Sequence, residues 1–320
     1  MRLTVLLIAS LAVFFSSYAL GQTPEEVCSI FEGTFANCKL WRNGDFVVKE
    51  EILLDNVVVK PTSVKGLVLS HFITRRVAFD FDARKYAVLV LDERSTSDFT
   101  NSNGDPVVTK KLSGWSVDLN GKSVKFDNGK VTEHVFATKD DGEILNLIGF
   151  FDLRGFWYRG ISNNLEFNKV ERIFDKYKAG LGYRSRKQVG VNEKLTFDQY
   201  SPPEIGTIKE VFTFDIQSLM IKSRVISGES VAGKPLGGPS AEVDWKAIDG
   251  VNVPVKGRFE DYVTIRLGNH EHKGLEQRNY TIDWVSLNGE LDPTLFDGRC
   301  LKDANVLLEY FEPETKKFLD

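Results

Sequence analysis

The sequence is poor in cysteine. Only three occur among 320 residues, Cys28, Cys38 and Cys300, and their spacing fits no zinc site. Cys28 and Cys38 fall ten residues apart, on what the pattern predicts to be one helix and its exit. They can pair only if that helix ends before Cys38, because Cα atoms ten residues apart in a helix are too distant for a disulfide. With three thiols, at least one cannot pair within the chain.

Motifs of several catalytic classes are also absent. The chain has no Gly-x-Ser-x-Gly elbow, no glycine-rich phosphate loop and no His-Glu-x-x-His helix. Its 41 Lys and Arg residues against 45 Asp and Glu residues give a net charge of −4, which argues against general nucleic-acid binding. We therefore expect no enzymatic activity, no cofactor or metal and no nucleic-acid partner.

A long apolar run occurs only once, at the N-terminus. Arg2 precedes the run Leu3–Phe15, which is too short to span a bilayer, and Ala19-Leu20-Gly21 supplies small residues at a cleavage site. The pattern predicts a signal peptide over residues 1–21, with an uncleaved anchor as the alternative. We expect residues 22–320 to form one exported domain in the periplasm or outside the cell. It should be a monomer with at most a peripheral contact to a membrane.

Alternation of apolar and polar residues dominates the chain after Trp41. Four runs near the C-terminus show it most clearly: Val243–Ala247, Val251–Val255, Val263–Leu267 and Tyr280–Trp284. Period two is typical of strands with one buried face. Eight dipeptides of the kind that forms tight hairpin turns separate such runs. They are Asn43-Gly44, Asn103-Gly104, Asn120-Gly121, Asn128-Gly129, Asp141-Gly142, Asp249-Gly250, Asn288-Gly289 and Asp297-Gly298. About fifteen short antiparallel strands are predicted.

Helical patterns are few. Pro24–Ala36 starts with a capping box and carries one apolar stripe, and Leu165–Ala179 shows apolar residues at i, i+3, i+4 and i+7. Between the two, Ile144–Tyr158 is rich in aromatic residues but alternates poorly, so we interpret it as an irregular segment. Gly233–Pro239 is interpreted as a flexible connector, and Val306–Phe311 as a last strand.

Several of these segments together resemble a known superfamily. They are the signal peptide with the helix after it, Phe79-Asp80-Phe81 leading into Tyr86-Ala87-Val88, Trp245 followed by the segment Asp249–Pro254, and Trp284 leading to Leu291–Phe296. This order is similar to the outer-membrane lipoprotein-sorting superfamily of the LolA, LolB and LppX type, and to its exported relatives of unknown role in planctomycete-type bacteria.

The resemblance implies an open antiparallel half-barrel with helices in its mouth. In the sorting proteins an apolar cavity between sheet and helices takes lipid acyl chains, so the resemblance implies such a cavity here. This chain is longer than the compact carriers, with extra hairpins between Val107 and Thr138.

Other chemistry has weaker support. His270 and His272 alternate on a strand and could share a metal with His71 or His134, but flanking glycines favour a solvated hairpin tip. Asp80 with Asp82, or Glu260 with Asp261, could supply the paired carboxylates of a glycosidase, although alternation with Phe79 and Phe81 turns the first pair outward. The basic segment Tyr183–Lys187 could meet an anionic headgroup or be an ordinary charged loop.

We therefore predict a mainly β protein, an open antiparallel half-barrel with one N-terminal helix and one central covering helix. It should be a non-enzymatic carrier whose apolar cavity binds a lipid or the acyl chain of a lipidated polypeptide. The predicted lining is Phe212, Phe214, Trp245, Val253, Ile265 and Trp284, and the predicted lid is Phe156, Trp157, Ile173 and Phe174. A secreted β-sandwich enzyme or lectin acting on polysaccharide is one alternative. A structural module whose interior is filled by its own side chains is the other.

Overall fold

A computed structural model describes residues 25–38, 40–55, 68–100, 106–118, 122–127, 129–135, 182–199, 206–267 and 270–311. The predicted signal peptide, the aromatic segment and the central helix lie outside these ranges. So do the four predicted lid residues, Phe156, Trp157, Ile173 and Phe174.

The described chain consists of thirteen strands and a few helical segments. Helix α1 (Glu25–Cys38) comes first, and a C-terminal segment follows the last strand, with two 3₁₀ turns (Pro293–Leu295 and Arg299–Leu301) and helix α2 (Ala304–Glu309). The strands are β1 (Asn43–Asp55), β2 (Val68–Asp80), β3 (Lys85–Thr100), β4 (Pro106–Asp118), β5 (Lys122–Asp127), β6 (Lys130–Val135), β7 (Tyr183–Val189), β8 (Asn192–Gln199), β9 (Thr207–Asp215), β10 (Ile221–Glu229), β11 (Pro235–Ile248), β12 (Val251–Leu267) and β13 (His270–Leu287). No described helix is both long and apolar enough to cross a membrane.

All thirteen strands belong to one antiparallel sheet, in the order β6-β5-β4-β3-β2-β1-β13-β12-β11-β10-β9-β8-β7. Each half is a meander, and the pairing of β1 with β13 joins the halves. The edges are β6 and β7, so the sheet stays open. The predicted open antiparallel half-barrel is therefore confirmed.

The hairpin between β11 and β12 shows why the turn dipeptides were informative. Asp249 and Gly250 have φ of 49° and 78°, and Ile248 pairs directly with Val251. Two consecutive positive φ angles are what a type I′ turn needs, and Gly250 adopts one without steric cost. The dipeptide thus fixes the register of two long strands.

The described strands are longer than predicted. The runs Val251–Val255 and Val263–Leu267 both belong to β12, because Lys256 to Tyr262 continue the alternation between them. Gly257 and Asp261 interrupt the apolar pattern at inward positions, which hid this continuity in the sequence.

Two further predictions were wrong. Gly233–Pro239 is not a connector throughout, since β11 begins at Pro235. Gly237 lies within this strand, where the Tyr262 ring leaves no room for a side chain, since a Cβ at Gly237 would come 2.3 Å from the ring. Val306–Phe311 is not a strand: Asp303 accepts hydrogen bonds from the backbone N–H groups of Asn305 and Val306 and so starts α2.

The condition for a Cys28–Cys38 disulfide is not met. Helix α1 runs through Cys38, so ten residues of helix place the two Cα atoms about 15 Å apart. Cys300 is a buried free thiol in the C-terminal segment.

Parts of both faces of the sheet are buried. The outer face of β2–β5 packs against the C-terminal segment, and Arg76 secures this contact by donating to the Tyr310 carbonyl (3.0 Å) and to both oxygens of Asp45. The buried members of this outer cluster are Ala78, Ala87, Leu89, Phe126, Leu295, Cys300, Leu301, Leu307 and Phe311. The opposite, inner face carries α1 and the larger cluster.

Candidate functional site

Five of the six predicted lining residues meet on the inner face. Phe212, Phe214, Val253 and Trp284 are buried members of the inner cluster, and Trp245 packs against it half-buried. Ile265 lies farther along β12, where its backbone pairs with His272; its side chain is outside the description. The cluster extends well beyond the predicted set. Its other buried members are Ile30, Phe31, Trp41, Phe46, Val48, Val77, Phe79, Tyr86, Val88, Val117, Leu195, Phe197, Ile221, Val243, Val251, Phe259, Tyr280 and Ile282.

Helix α1 covers the β8–β9 part of this face through Phe31. The fully buried Phe31 ring meets three strand rings edge-on, at centroid distances of 6.1 Å to Phe197, 5.6 Å to Phe212 and 5.1 Å to Phe214. Edge-to-face contacts at this range are favourable beyond the area they bury. In this structure, a side chain of α1 thus occupies the space in front of Phe212 and Phe214.

The C-terminal half of α1 is fixed by hydrogen bonds. Asn37 donates to the Asn252 carbonyl and accepts from the Asn252 N–H, both at 2.8 Å, and Thr34 donates to the Leu219 carbonyl at 2.5 Å. Gly33 permits this approach, because a Cβ there would come 2.5 Å from a Leu219 methyl carbon. The helix is therefore anchored to the β9–β10 turn and to the start of β12.

The β1–β4 part of the inner face is equally apolar. Phe46 lies 4.7 Å from Trp284 and 6.4 Å from Phe79, measured between ring centroids. The indole N–H of Trp284 donates to the Pro254 carbonyl (2.9 Å), and that of Trp245 to the Ile221 carbonyl (2.7 Å). These bonds turn the polar atoms of both indoles toward the backbone and leave the aromatic surfaces to the cluster.

A group of ion pairs lies beside the apolar cluster on the same face of the sheet. We name Glu50, His71, Arg75, Asp92, Arg94, Glu276 and Arg278 the charged belt. At its centre the Glu50 carboxylate is fully buried and accepts from Arg75 on β2 and, at 2.7 Å, from Arg278 on β13. Arg278 also donates to Glu276 (2.7 Å). Strands β2 and β13 flank β1, so both guanidinium groups reach Glu50 from neighbouring strands.

The second part of the belt lies between β2 and β3. His71 Nε2 lies 3.0 Å from Asp92 Oδ1, and Arg94 donates to both Asp92 oxygens at 2.9 and 2.6 Å. Burial by itself would raise the pKa of the Asp92 carboxyl, but the hydrogen bonds from His71 and Arg94 outweigh it and lower that pKa well below its ordinary value. Asp92 is therefore held as a carboxylate.

Strand register places the belt beside the apolar cluster. Ile52 of β1 pairs with Arg278 on one side and with His71 on the other, and His71 pairs in turn with Arg94. The belt thus crosses β13, β1, β2 and β3. The belt was not predicted from the sequence, although a signal was present: Glu50 continues the inward series of Phe46 and Val48. On β2, Arg75 and His71 likewise continue the series that starts at Phe79 and Val77.

The carboxylate pairs of the polysaccharide alternative do not converge. Asp80 accepts from the Ala83 N–H (2.8 Å) in the β2–β3 turn, and Asp82 is exposed. Glu260 and Asp261 are successive residues of β12 and therefore point to opposite faces. Glu260 accepts from Arg258, Gln277 and Ser240 on the outer face.

The other candidates are placed as follows. His270 and His272 occupy alternate positions at the start of β13, and the described residues include no group of three or more that could hold a metal. In the basic segment, Arg184 pairs with Asp198 and Arg186 with Glu193, both on β8. Carboxylates of the neighbouring strand therefore match much of its charge.

Comparisons with known proteins identify no family for the chain. No family model and no curated protein matches the chain. Similar solved structures include a LolA superfamily protein from Nitrosomonas europaea (8% identity, 84% of this chain and 96% of that chain covered, TM-score 0.35). They also include a porin-like protein from Bacteroides uniformis (9%, 74% and 96%, 0.24) and a β-barrel-like protein of a domain of unknown function from Brucella abortus (9%, 76% and 99%, 0.25). These TM-scores are too low for any of the three to inform the function.

Proposed function

We propose that this protein is an exported, non-enzymatic carrier whose inner sheet face binds the apolar chain of a lipid or of a lipidated polypeptide. The observation that most supports this proposal is the extent of the inner apolar surface. It runs across β1–β4 and β8–β13, while α1 contributes only Ile30 and Phe31 to it among the described side chains. An acyl chain needs area rather than hydrogen bonds, and this surface offers area.

The favoured location is the β1–β4 part of the inner face, beside Phe46, Val77, Phe79 and Val88. Phe31 already packs against Phe212 and Phe214, so a chain bound at those two residues would have to displace an anchored helix. We retain Phe156, Trp157, Ile173 and Phe174 as the proposed cover.

The structural module with a filled interior remains the second candidate, because the burial of Phe212 and Phe214 beneath Phe31 favours it locally. The two candidates differ in one measurable property. A carrier takes up an apolar guest, whereas a close-packed interior does not.

Native mass spectrometry tests the proposal directly. The full-length chain would be expressed in a bacterial host and purified from the exported fraction without detergent. We expect a mass without residues 1–21, together with a bound lipid that is lost on denaturation. Absence of any adduct, combined with no uptake of an uncharged dodecyl-chain fluorophore, would rule out the carrier.

Two variants on β4 locate the site. Trp115 packs against the inner cluster, whereas Val108, an odd number of residues away, is half-exposed on the outer face. Trp115→Lys should abolish uptake of the uncharged fluorophore, because it places a charge in the apolar site. Val108→Lys introduces the same charge on the other face and should leave uptake unchanged. Equal uptake by both variants would place the site elsewhere.

A further inference from the structure

We infer that the charged belt recognises an anion, so that the ligand of the inner face is an amphiphile with a carboxylate or phosphate headgroup. The inference rests on the proposed function and adds the chemical class of the guest. The residue at its centre is Arg75.

Arg75 has donor capacity to spare. Its side chain is 10% exposed, and among the described residues the structure gives it one acceptor, the Glu50 carboxylate, reached through Nη1. A guanidinium group carries five N–H donors in a planar fork. Removing such a group from water is costly unless its donors find acceptors. Arg75 is thus equipped to bind a further acceptor.

Arg224 provides an informative contrast. It is also a buried arginine on the inner face, and it pairs with the fully buried Glu210 of β9. Its guanidinium carbon lies 5.8 Å from the centre of the Phe212 ring, so an aromatic face covers it in addition to the carboxylate. The Arg224 site is closed by neighbouring side chains of the cluster.

The carboxylates of the belt are already engaged by cations. Glu50 accepts from Arg75 and Arg278, Glu276 accepts from Arg278, and Asp92 accepts from Arg94. A cationic ligand would have to displace an arginine from one of them. An anion can instead add to the fork of Arg75, which suits bidentate binding of carboxylate or phosphate.

Arg75 also lies at the boundary that an amphiphile requires. On the strand β2 it is followed at the next inward positions by Val77 and Phe79, both fully buried in the apolar cluster. Four residues of strand separate Arg75 from Phe79, which is about 13 Å. A headgroup at Arg75 would therefore direct its chain along Val77 toward Phe79.

The test compares ligands that share one chain or one headgroup. Isothermal titration at pH 7.5, below micelle-forming concentrations, would measure binding of dodecanoate, monododecanoylglycerol and acetate to the full chain. We expect dodecanoate to bind about 10- to 100-fold more tightly than the uncharged glyceride, the range of a charged hydrogen-bonded contact. Acetate should bind far more weakly than dodecanoate, because it lacks the chain.

Two arginine variants test whether Arg75 is responsible for the preference for the anionic ligand. Arg75→Gln should reduce the ratio of the two affinities to about one, while Arg224→Gln removes an equally buried arginine and should keep the ratio of the wild type. Circular dichroism establishes that each variant is folded. Should Arg75→Gln fail to fold, Arg75→Lys retains the charge without the planar fork and should lower the ratio.

Three results would overturn the inference, and they differ in what else they affect. Equal affinity of the wild type for dodecanoate and for the glyceride removes the anion preference but leaves the carrier intact. Equal affinity for dodecanoate and acetate means that a free anion binds without a chain. If neither dodecyl ligand binds, the proposed carrier function fails and the inference fails with it.

Discussion

Glu50 is a single carboxylate that holds together three strands of the inner face. It is fully buried between Arg75 and Arg278, and it lies directly opposite Tyr280 on β13 and Ile73 on β2. Its neighbour Glu51 points to the other face and is only half-buried. The contrast between these adjacent residues permits a controlled test of the belt.

Replacing Glu50 by Gln should lower the free energy of unfolding by about 3–5 kcal/mol, because two nearly buried guanidinium groups lose their shared charge partner. Urea unfolding followed by circular dichroism measures this. Glu51→Gln, the matched control, should change stability by no more than about 0.5 kcal/mol. Similar losses in both variants would mean that the belt does not depend on Glu50.

Asp92 should make stability depend on acid pH. Its pKa is lowered in the folded chain by His71 and Arg94 in spite of burial, so the unfolded state takes up the proton first as pH falls. The contribution is fully present above about pH 4, the ordinary pKa of Asp, and is lost progressively below it. Urea unfolding between pH 6 and pH 2.5 should show a smaller loss of stability for Asp92→Asn than for the wild type. Parallel pH profiles would contradict this assignment.

At the scale of elements, the C-terminal segment packs against the outer face of the sheet and stabilises it. Leu301 is fully buried, and a Cβ at Gly114 of β4 would come 2.8 Å from one of its methyl carbons. Leu308, on α2, is 42% exposed. Comparing the two leucines therefore distinguishes the effect of packing against the sheet from the effect of losing a leucine side chain at an exposed position.

Leu301→Ala should cost about 2–5 kcal/mol of unfolding free energy, since it leaves a cavity between the segment and the sheet. Leu308→Ala should cost less than about 1 kcal/mol, because little of its contact is lost. Thermal and urea unfolding of the two variants give both values. A similar cost for both would show that the segment is only loosely attached.

Helix α1 depends on Asn37 for its attachment. Asn37→Ala removes both hydrogen bonds to the part-buried Asn252, which should cost about 1–3 kcal/mol. Hydrogen exchange of α1 amides should accelerate in this variant. Glu32→Ala, at an exposed position of the same helix, is the control and should exchange like the wild type. Unchanged exchange in Asn37→Ala would mean that the packing of Ile30 and Phe31 and the Thr34 hydrogen bond to Leu219 are sufficient to hold the helix.

The elements differ in how far the sequence could predict them. Local rules were sufficient for the Asp249-Gly250 hairpin, because its turn residues act on their own backbone. They were also sufficient for α1, where Ile30 and Phe31 of the predicted apolar stripe are both buried. They failed at α2, where the apolar run of Val306, Leu307 and Leu308 resembles a strand. There the Asp303 cap and the surface offered by the sheet decide the conformation.

The whole molecule depends on contacts that no local pattern contains. Pairing of β1 with β13 joins residues more than 200 positions apart, such as Phe46 with Trp284. That pairing also brings Arg278 to Glu50. The sequence predicted an apolar inner face correctly but not the charged belt beside it, because inward arginines are recognised only once their carboxylate partners are known.

Four tryptophans report on the inner face at once. Trp41 and Trp284 are buried in its cluster, and Trp115 and Trp245 pack against it. Bromine quenches indole fluorescence only at close contact, so a brominated chain in this site should reduce the emission. The quenching should saturate with ligand concentration.

The central claim is that the inner face accommodates an apolar chain, and titration with brominated dodecanoate tests it most directly. We predict saturable quenching that unbrominated dodecanoate reverses by competition and that Trp115→Lys abolishes. Emission that stays constant, or that falls linearly without saturation, would contradict the carrier and leave a β-sheet whose inner face is filled by the chain itself.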